Sequence, residues 1–303
     1  MKQSILLPIP KNFNFWTTVW SSGWCSLEPF AVSKEEQTLS RVQKLSSGKI
    51  VRVTLAQNRK GELPILVESH RRMSISDVDE LENVVKICLR LDEDLSPLYS
   101  LLEDYPEFGW AEELDVGRSV RSPTVFEDVV KTICTTNASW SLTKAAIHRI
   151  CRRIGDSFSD EFHTFPTPRQ MASKSEEFMR KEIRVGYRSP YLIELAQKTA
   201  EGRFDVESWN TCLTSSTDLK AEITKLKGVG SYAADNILKL LGRYDFLAID
   251  SWVRKRFAKI HRKGKMASDG EIEEFYAPFG EWRGLVLWLD LTKEWLIPES
   301  ERK

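Results

Sequence analysis

The sequence predicts a mainly α protein: a small N-terminal α+β module with an antiparallel sheet, then a larger all-helical body in two parts. Three observations predict it. Lys49 to Leu55 alternates apolar and polar residues as a half-buried strand does, and Leu63 to Val67 can pair with it across a loop containing Gly61. From Pro97 onward strand signals nearly vanish and apolar residues recur at helical spacing. In the C-terminal third, Leu226-Lys227-Gly228-Val229-Gly230-Ser231-Tyr232-Ala233-Ala234-Asp235 sets two glycines around one apolar residue, between two segments of helical periodicity. Either glycine can take positive φ, so the run reads as a tight hairpin joining two helices.

The elements follow in order. Trp16 to Phe30 is aromatic-rich, and Ser76 to Leu91 is an amphipathic helix with Val78, Leu81, Val84, Val85 and Cys88 on its apolar side. Residues 1–105 make the first module and 106–303 the helical body. Within that body, Phe126 to Cys134 forms one helix, broken at Thr135-Thr136-Asn137-Ala138-Ser139, and Leu142 to Ile154 a second. After Phe165-Pro166-Thr167-Pro168 comes a helical stretch. Val185 to Tyr191 is then a turn-like knot before a helix to Ala200. Thr217 or Asp218 caps the helix entering the hairpin, and the helix, hairpin and helix together span about 217–242.

At 303 residues the chain has room for two or three subdomains. With 41% hydrophobic residues and a mean hydropathy of −0.35 it has the composition of a soluble globular protein without a membrane partner. No apolar run reaches membrane-spanning length, and the start, Ser4 to Pro10, is too short and proline-broken for a secretory signal. The five cysteines are scattered and form no C-x-x-C pair, as in an intracellular protein with reduced thiols and no zinc or iron–sulfur site. The four histidines show no metal spacing. A net charge of zero lends nucleic-acid binding no support by itself. Its distribution does: Lys225 to Lys265 holds eleven Lys/Arg against three Asp, over the same stretch as the glycine hairpin.

Two features of that stretch carry chemistry. The amides opening the second helix, with the positive end of its dipole, suit a phosphate. Asp250, in Leu247-Ala248-Ile249-Asp250, lies eighteen residues beyond Tyr232 and just ahead of the helix Ser251 to Phe257. It is placed as an ordinary N-cap, and equally as a fixed acid beside a phosphate grip. The pairing suggests an enzyme acting on DNA.

Hairpin, acid and upstream helices together resemble the helix-hairpin-helix (HhH-GPD) DNA glycosylases, closest to the branch with 3-methyladenine and 8-oxoguanine DNA glycosylases. The family pattern Leu-Pro-Gly-hydrophobic-Gly appears as Leu226-Lys227-Gly228-Val229-Gly230, with Lys227 replacing proline, and its Asp as Asp250. The resemblance continues through Phe126-Glu127, Ile133 to Asn137, Phe165-Pro166, Gly186-Tyr187-Arg188 and Trp282 to Leu291, covering roughly 110–295. It implies a base-excision repair enzyme, working as a monomer on double-stranded DNA that holds a damaged base. In a bacterium it would sit in the cytoplasm or nucleoid, in a eukaryote in the nucleus or an organelle.

The same resemblance implies the site. Asp250 would stabilise cationic character at the sugar C1′ and position water. Tyr232 stands where bifunctional members carry a Schiff-base lysine, which implies a monofunctional glycosylase of the DNA-3-methyladenine type acting on alkylated purines. Lys225 and Lys239 are substitutes off the matched position. Tyr232 and Trp288 would line the base pocket, although aromatic residues on a helix also serve as core. Asn137 would fill the gap left by the flipped base and Tyr187 would wedge beside its partner, while both also suit turns. Lys227, Ser231 and the amides of Gly228, Val229 and Gly230 would hold phosphates. The glutamine that the 8-oxoguanine branch supplies from the last helix is matched by Gly284. No cofactor is implied beyond a monovalent cation at the hairpin carbonyls. The rival readings are an 8-oxoguanine or deaminated-base glycosylase, a glycosylase with lyase activity, and a non-catalytic DNA-binding protein that kept the hairpin.

Overall fold

A computed structural model describes residues 1–57 and 61–297. The N-terminal module is a five-stranded antiparallel sheet, β1 (Lys2–Pro8), β2 (Phe30–Ser33), β3 (Thr38–Lys44), β4 (Ile50–Ala56) and β5 (Glu62–Ser69), in the order β1-β5-β4-β3-β2. The expected pairing is present, with Val53 opposite Val67 and Leu55 opposite Ile65. Its connecting loop includes residues 58–60, which lie outside the described residues, as do 298–303. β1 to β3 went unrecognised in the sequence. In β1 only Ile5 and Leu7 mark the buried face; β2 and β3 follow a stretch dominated by aromatic residues.

One face of the sheet buries Leu7, Leu39, Val51, Val53, Leu63, Ile65 and Val67 against Leu81, Val85, Cys88 and Leu89 of a helix. Elements α1 (Phe15–Trp20) and α2 (Ile75–Leu89) belong to this module. A reciprocal cap opens α2: the Ser74 hydroxyl accepts from the Asp77 amide, and the Asp77 carboxylate accepts from the Ser74 amide.

Twelve further helices follow, α3 (Ser96–Leu102), α4 (Trp110–Glu113), α5 (Val125–Thr135), α6 (Trp140–Ile154), α7 (Pro168–Ala172), α8 (Glu176–Phe178), α9 (Ser189–Ala200), α10 (Ser216–Ile223), α11 (Ser231–Leu240), α12 (Ser251–His261), α13 (Asp269–Tyr276) and α14 (Arg283–Leu296). They bury two cores. One joins α5, α6, α9, α10 and α11 through residues such as Val129, Ile147, Leu192, Leu219 and Ile237. The other joins α3 to α12, α13 and α14 through Leu98, Tyr99, Phe257, Ile272 and Val286. The hairpin joins two helices of the first core, and Asp250 caps a helix of the second.

The sheet is tied to the first core by buried charge. Arg41 on β3 donates from Nη1 and Nη2 to the Glu127 carboxylate at 2.9 and 2.6 Å, and Lys131 reaches the same carboxylate at 2.7 Å. Arg41, Glu127 and Lys131 are all nearly inaccessible, so each charge needs the others. Burial raises the Glu127 pKa, but Arg41 and Lys131 outweigh it and hold the carboxyl at about 2.

Candidate active site

The hairpin forms where the sequence places it, between α10 and α11. Gly228 takes φ +84, and a Cβ there would meet Tyr191 Cδ2 at 2.5 Å, so only glycine fits. Gly230 departs from the sequence reading. Its φ is −87, in extended backbone as the N-cap of α11, and the position its Cβ would occupy is open. The turn itself does not require a glycine at 230. Val229 is buried while Ser231 is exposed at the mouth of α11, leaving its amides toward solvent. Thr217 and Asp218 do not cap α10. Ser215 does, its hydroxyl accepting from the Asp218 amide, because the helix begins a residue or more earlier than the pattern implies.

A continuous strip leads away from this hairpin. Asn137 sits exposed in the break between α5 and α6 at φ +46, a left-handed conformation that Asn tolerates. Its side-chain amide donates to the Tyr187 hydroxyl at 3.2 Å. Tyr187 meets Tyr191 edge to face, with ring centroids 6.2 Å apart, and Tyr191 lies against Gly228. Arg188 covers the Tyr187 ring and donates to the Thr136 carbonyl, which fixes the break to the knot. Lys227 is exposed but not free: its Nζ is 2.7 Å from Glu194 on α9. The basic excess is partly neutralised too. Arg254, Arg256 and Arg262 pair with Asp269, Glu294 and Glu271, acids beyond the stretch in which the charges were counted.

Asp250 is joined to α11 through Tyr232. As the N-cap of α12 its Oδ1 accepts from the Val253 amide at 2.8 Å, and its Oδ2 accepts from the Tyr232 hydroxyl at 3.0 Å. Burial first, then the charge of Asp250, raises the Tyr232 pKa, so the phenol stays protonated and donates. A carboxylate has roughly four lone-pair sites, so about two remain beyond these bonds. Asp250 is partly accessible rather than sealed in the core.

Three indoles cluster beside it. Trp252, Trp288 and Trp295 lie with ring centroids 5.5 to 6.0 Å apart, Trp252 two residues after Asp250. The Trp288 indole N–H donates to the Ser21 carbonyl at 2.6 Å, pinning α14 to the N-terminal module. Its face is not bare, because Lys239 Nζ lies 4.0 Å from the ring centroid. On the module side of Trp295 a cavity of about 720 Å³ opens, lined by Trp16, Trp20, Ser22, Gly23 and Lys34, within the size range of ligand sites. At Gly284 a side chain would run into the carbonyl oxygens of Phe246 and Tyr244, so α14 presents no polar group from that position.

Residues 130–278 match the sequence model of the HhH-GPD superfamily of base excision DNA repair proteins. The stretch that carries the hairpin and Asp250 is thus an HhH-GPD domain. A probable N-glycosylase/DNA lyase of Methanothermobacter thermautotrophicus is 27% identical over 225 residues, 64% of this chain and 68% of that one. Among solved structures, a 3-methyladenine DNA glycosylase from Archaeoglobus fulgidus superposes with a TM-score of 0.72 at 19% identity, covering 96% of this chain and 98% of that one. An 8-oxoguanine glycosylase/lyase from Clostridium acetobutylicum gives 0.72 at 20% identity, covering 96% and 97%. The two neighbours are named for different lesions, so their likeness speaks for the HhH-GPD fold and not for a substrate. At that level the chain is a DNA glycosylase of base excision repair, with DNA as its partner.

The structure joins Tyr232 directly to Asp250, links Asn137 and Tyr187 to each other, and sets both beside the hairpin. Lys227 it turns toward Glu194. The sequence reading missed Trp252, Trp295, Tyr191 and Arg188. Trp252 was legible as an aromatic residue two past Asp250, in the first turn of the helix it caps. The carbonyl oxygens of the turn suit a hard monovalent cation: those of Ile223 and Leu226 accept from Leu226 and Val229 amides at 3.1 Å, and each keeps a second lone pair. Such an ion would add positive charge toward a phosphate. Among the described residues no helix is long and apolar enough to cross a membrane, and no group of three or more His, Cys, Asp or Glu stands ready for a metal.

Proposed function

We propose that this protein flips a damaged purine nucleotide out of duplex DNA and hydrolyses its N-glycosidic bond beside Asp250. The observation that carries this is the placement of Asp250, held from two sides by the Val253 amide and the Tyr232 hydroxyl next to the hairpin. The hairpin amides grip the phosphate, while Asn137 and Tyr187 occupy the duplex to offset the few kcal/mol lost on unstacking. As the base departs with the bonding electrons, C1′ becomes cationic and the fixed carboxylate lowers the energy of that charge. Water then adds at C1′ and its proton is lost to solvent or to Asp250. Tyr232 lacks an amine, so its position in the bond-breaking step leaves the attack to water.

For the lesion, an N-alkylated purine is the first reading. It is cationic, its glycosidic bond is already weak, and the indole cluster offers roughly 0.5–2 kcal/mol of cation–π attraction. Trp252 and Trp295 keep 36% and 47% of their surface exposed for such stacking. Lys239 on the face of Trp288 favours a second reading, since an ammonium there repels a cationic base and donates to the carbonyl of a neutral oxidised purine such as 8-oxoguanine. Release of free bases from a panel of lesion duplexes tests both. Methylated purines released ahead of 8-oxoguanine are expected; the reverse order assigns the second reading, and no purine released at all refutes the proposal.

A further inference from the structure

Lys227 stands where the family pattern has proline, directly before Gly228. Because Gly228 has no Cβ, the Tyr191 ring packs onto it and fixes α9 beside the turn. One turn further along α9, Glu194 meets Lys227, with Oε2 at 2.7 Å from Nζ. A turn beyond that, Lys198 reaches the other oxygen, Oε1, also at 2.7 Å. One carboxylate is thus held from both sides. Hydrogen bonds from Lys198 and then Lys227 keep its carboxyl below the usual range, so it stays an anion. Lys225, two residues earlier and exposed, has no hydrogen-bond or ion-pair partner among the described residues.

We propose that Glu194 is an acidic latch on the hairpin: it competes with DNA phosphate for Lys227 and so weakens binding to undamaged duplex. The inference rests on the hairpin grip of the reading above. Lys227 is 65% exposed and Glu194 30%, so the pair stands open to a competing anion. A phosphate at the amides of Gly230 and Ser231 offers the Lys227 ammonium a second partner and repels the carboxylate beside it. Lys198 keeps that carboxylate on α9, so the ammonium moves and the acid does not. Proline carries no charge to hold or release, so the latch comes with the lysine of this chain. Its effect is to shorten the time spent on undamaged DNA, whose phosphates attract the protein everywhere alike.

The test measures binding of the full chain to an undamaged duplex by fluorescence anisotropy over a range of salt concentrations. Glu194→Gln keeps the size of the side chain and removes its charge. It is expected to tighten binding roughly three- to tenfold at low salt. It should also steepen the fall of log affinity with log salt by about one, because in the parent the carboxylate recovers a cation when Lys227 leaves it. Lys227→Met supplies the second arm. On that background Glu194→Gln should change affinity by less than about twofold, since Lys198 still neutralises the carboxylate. Parent affinity in Glu194→Gln, or the same tightening when Lys227 is absent, overturns the latch. No base is removed in this assay, so a failure here is separate from a failure of the glycosylase reading, which base release from lesion duplexes decides.

Discussion

At the scale of single residues, the site depends on what each polar side chain touches. Tyr232 is the clearest case. The sequence marks it as a position where the superfamily alternates an attacking lysine with an aromatic residue; the structure shows its hydroxyl holding Asp250. Tyr232→Phe removes one charge-assisted hydrogen bond of about 1.5 kcal/mol, so base release should fall roughly tenfold with little change in melting temperature. Single-turnover kinetics on a lesion duplex would show it. An unchanged rate would mean that the Val253 amide alone orients the carboxylate. The packing of Lys239 on Trp288 was harder to read, because that contact spans 49 positions of chain and the sequence carries no pattern for it.

Among elements, the hairpin shows two glycines doing different work. Gly228 is demanded by the protein itself, through positive φ and the Tyr191 ring; Gly230 is not, since its neighbourhood is open. Gly228→Ala should therefore cost about 1–2 kcal/mol of folding stability, measurable by urea denaturation. Gly230→Ala should leave stability nearly unchanged and weaken duplex binding several-fold, because its methyl group meets the phosphate backbone. Equal stability losses in both variants would contradict this division. Periodicity located most of the longer helices to within a residue or two, α5 at 125–135 against an expected 126–134, because each has one apolar stripe facing one core. The caps were less legible. Ser215, Asp218 and Thr217 are all good cap residues, and only tertiary packing selects Ser215.

For the whole molecule, the sheet and the helical body are held together by buried charge as well as by apolar packing, and this gives the protein a pH dependence. Glu127, unfolded, titrates in the ordinary carboxylate range, while in the fold Arg41 and Lys131 hold it at about 2. A lowered folded pKa contributes stability above the unfolded value that fades as pH falls toward 2. Melting temperature should accordingly drop steadily from pH 5 to pH 2, and Glu127→Gln should flatten that slope while lowering stability at pH 7. A parallel slope in the variant would assign the acid sensitivity elsewhere. The pairing of Arg41 with Glu127 does not stand out in sequence, since a contact across 86 positions leaves no local mark. The hairpin and its acid were legible because eighteen residues of helix and return segment fix their separation within one local unit. The account as a whole is tested most directly by replacing Asp250 with asparagine, which keeps the size and the Val253 bond but removes the anion. Release of the damaged base should become undetectable while affinity for the lesion duplex stays within a few-fold. Release at the parent rate by Asp250→Asn would contradict the central claim that one fixed carboxylate drives the departure of the base.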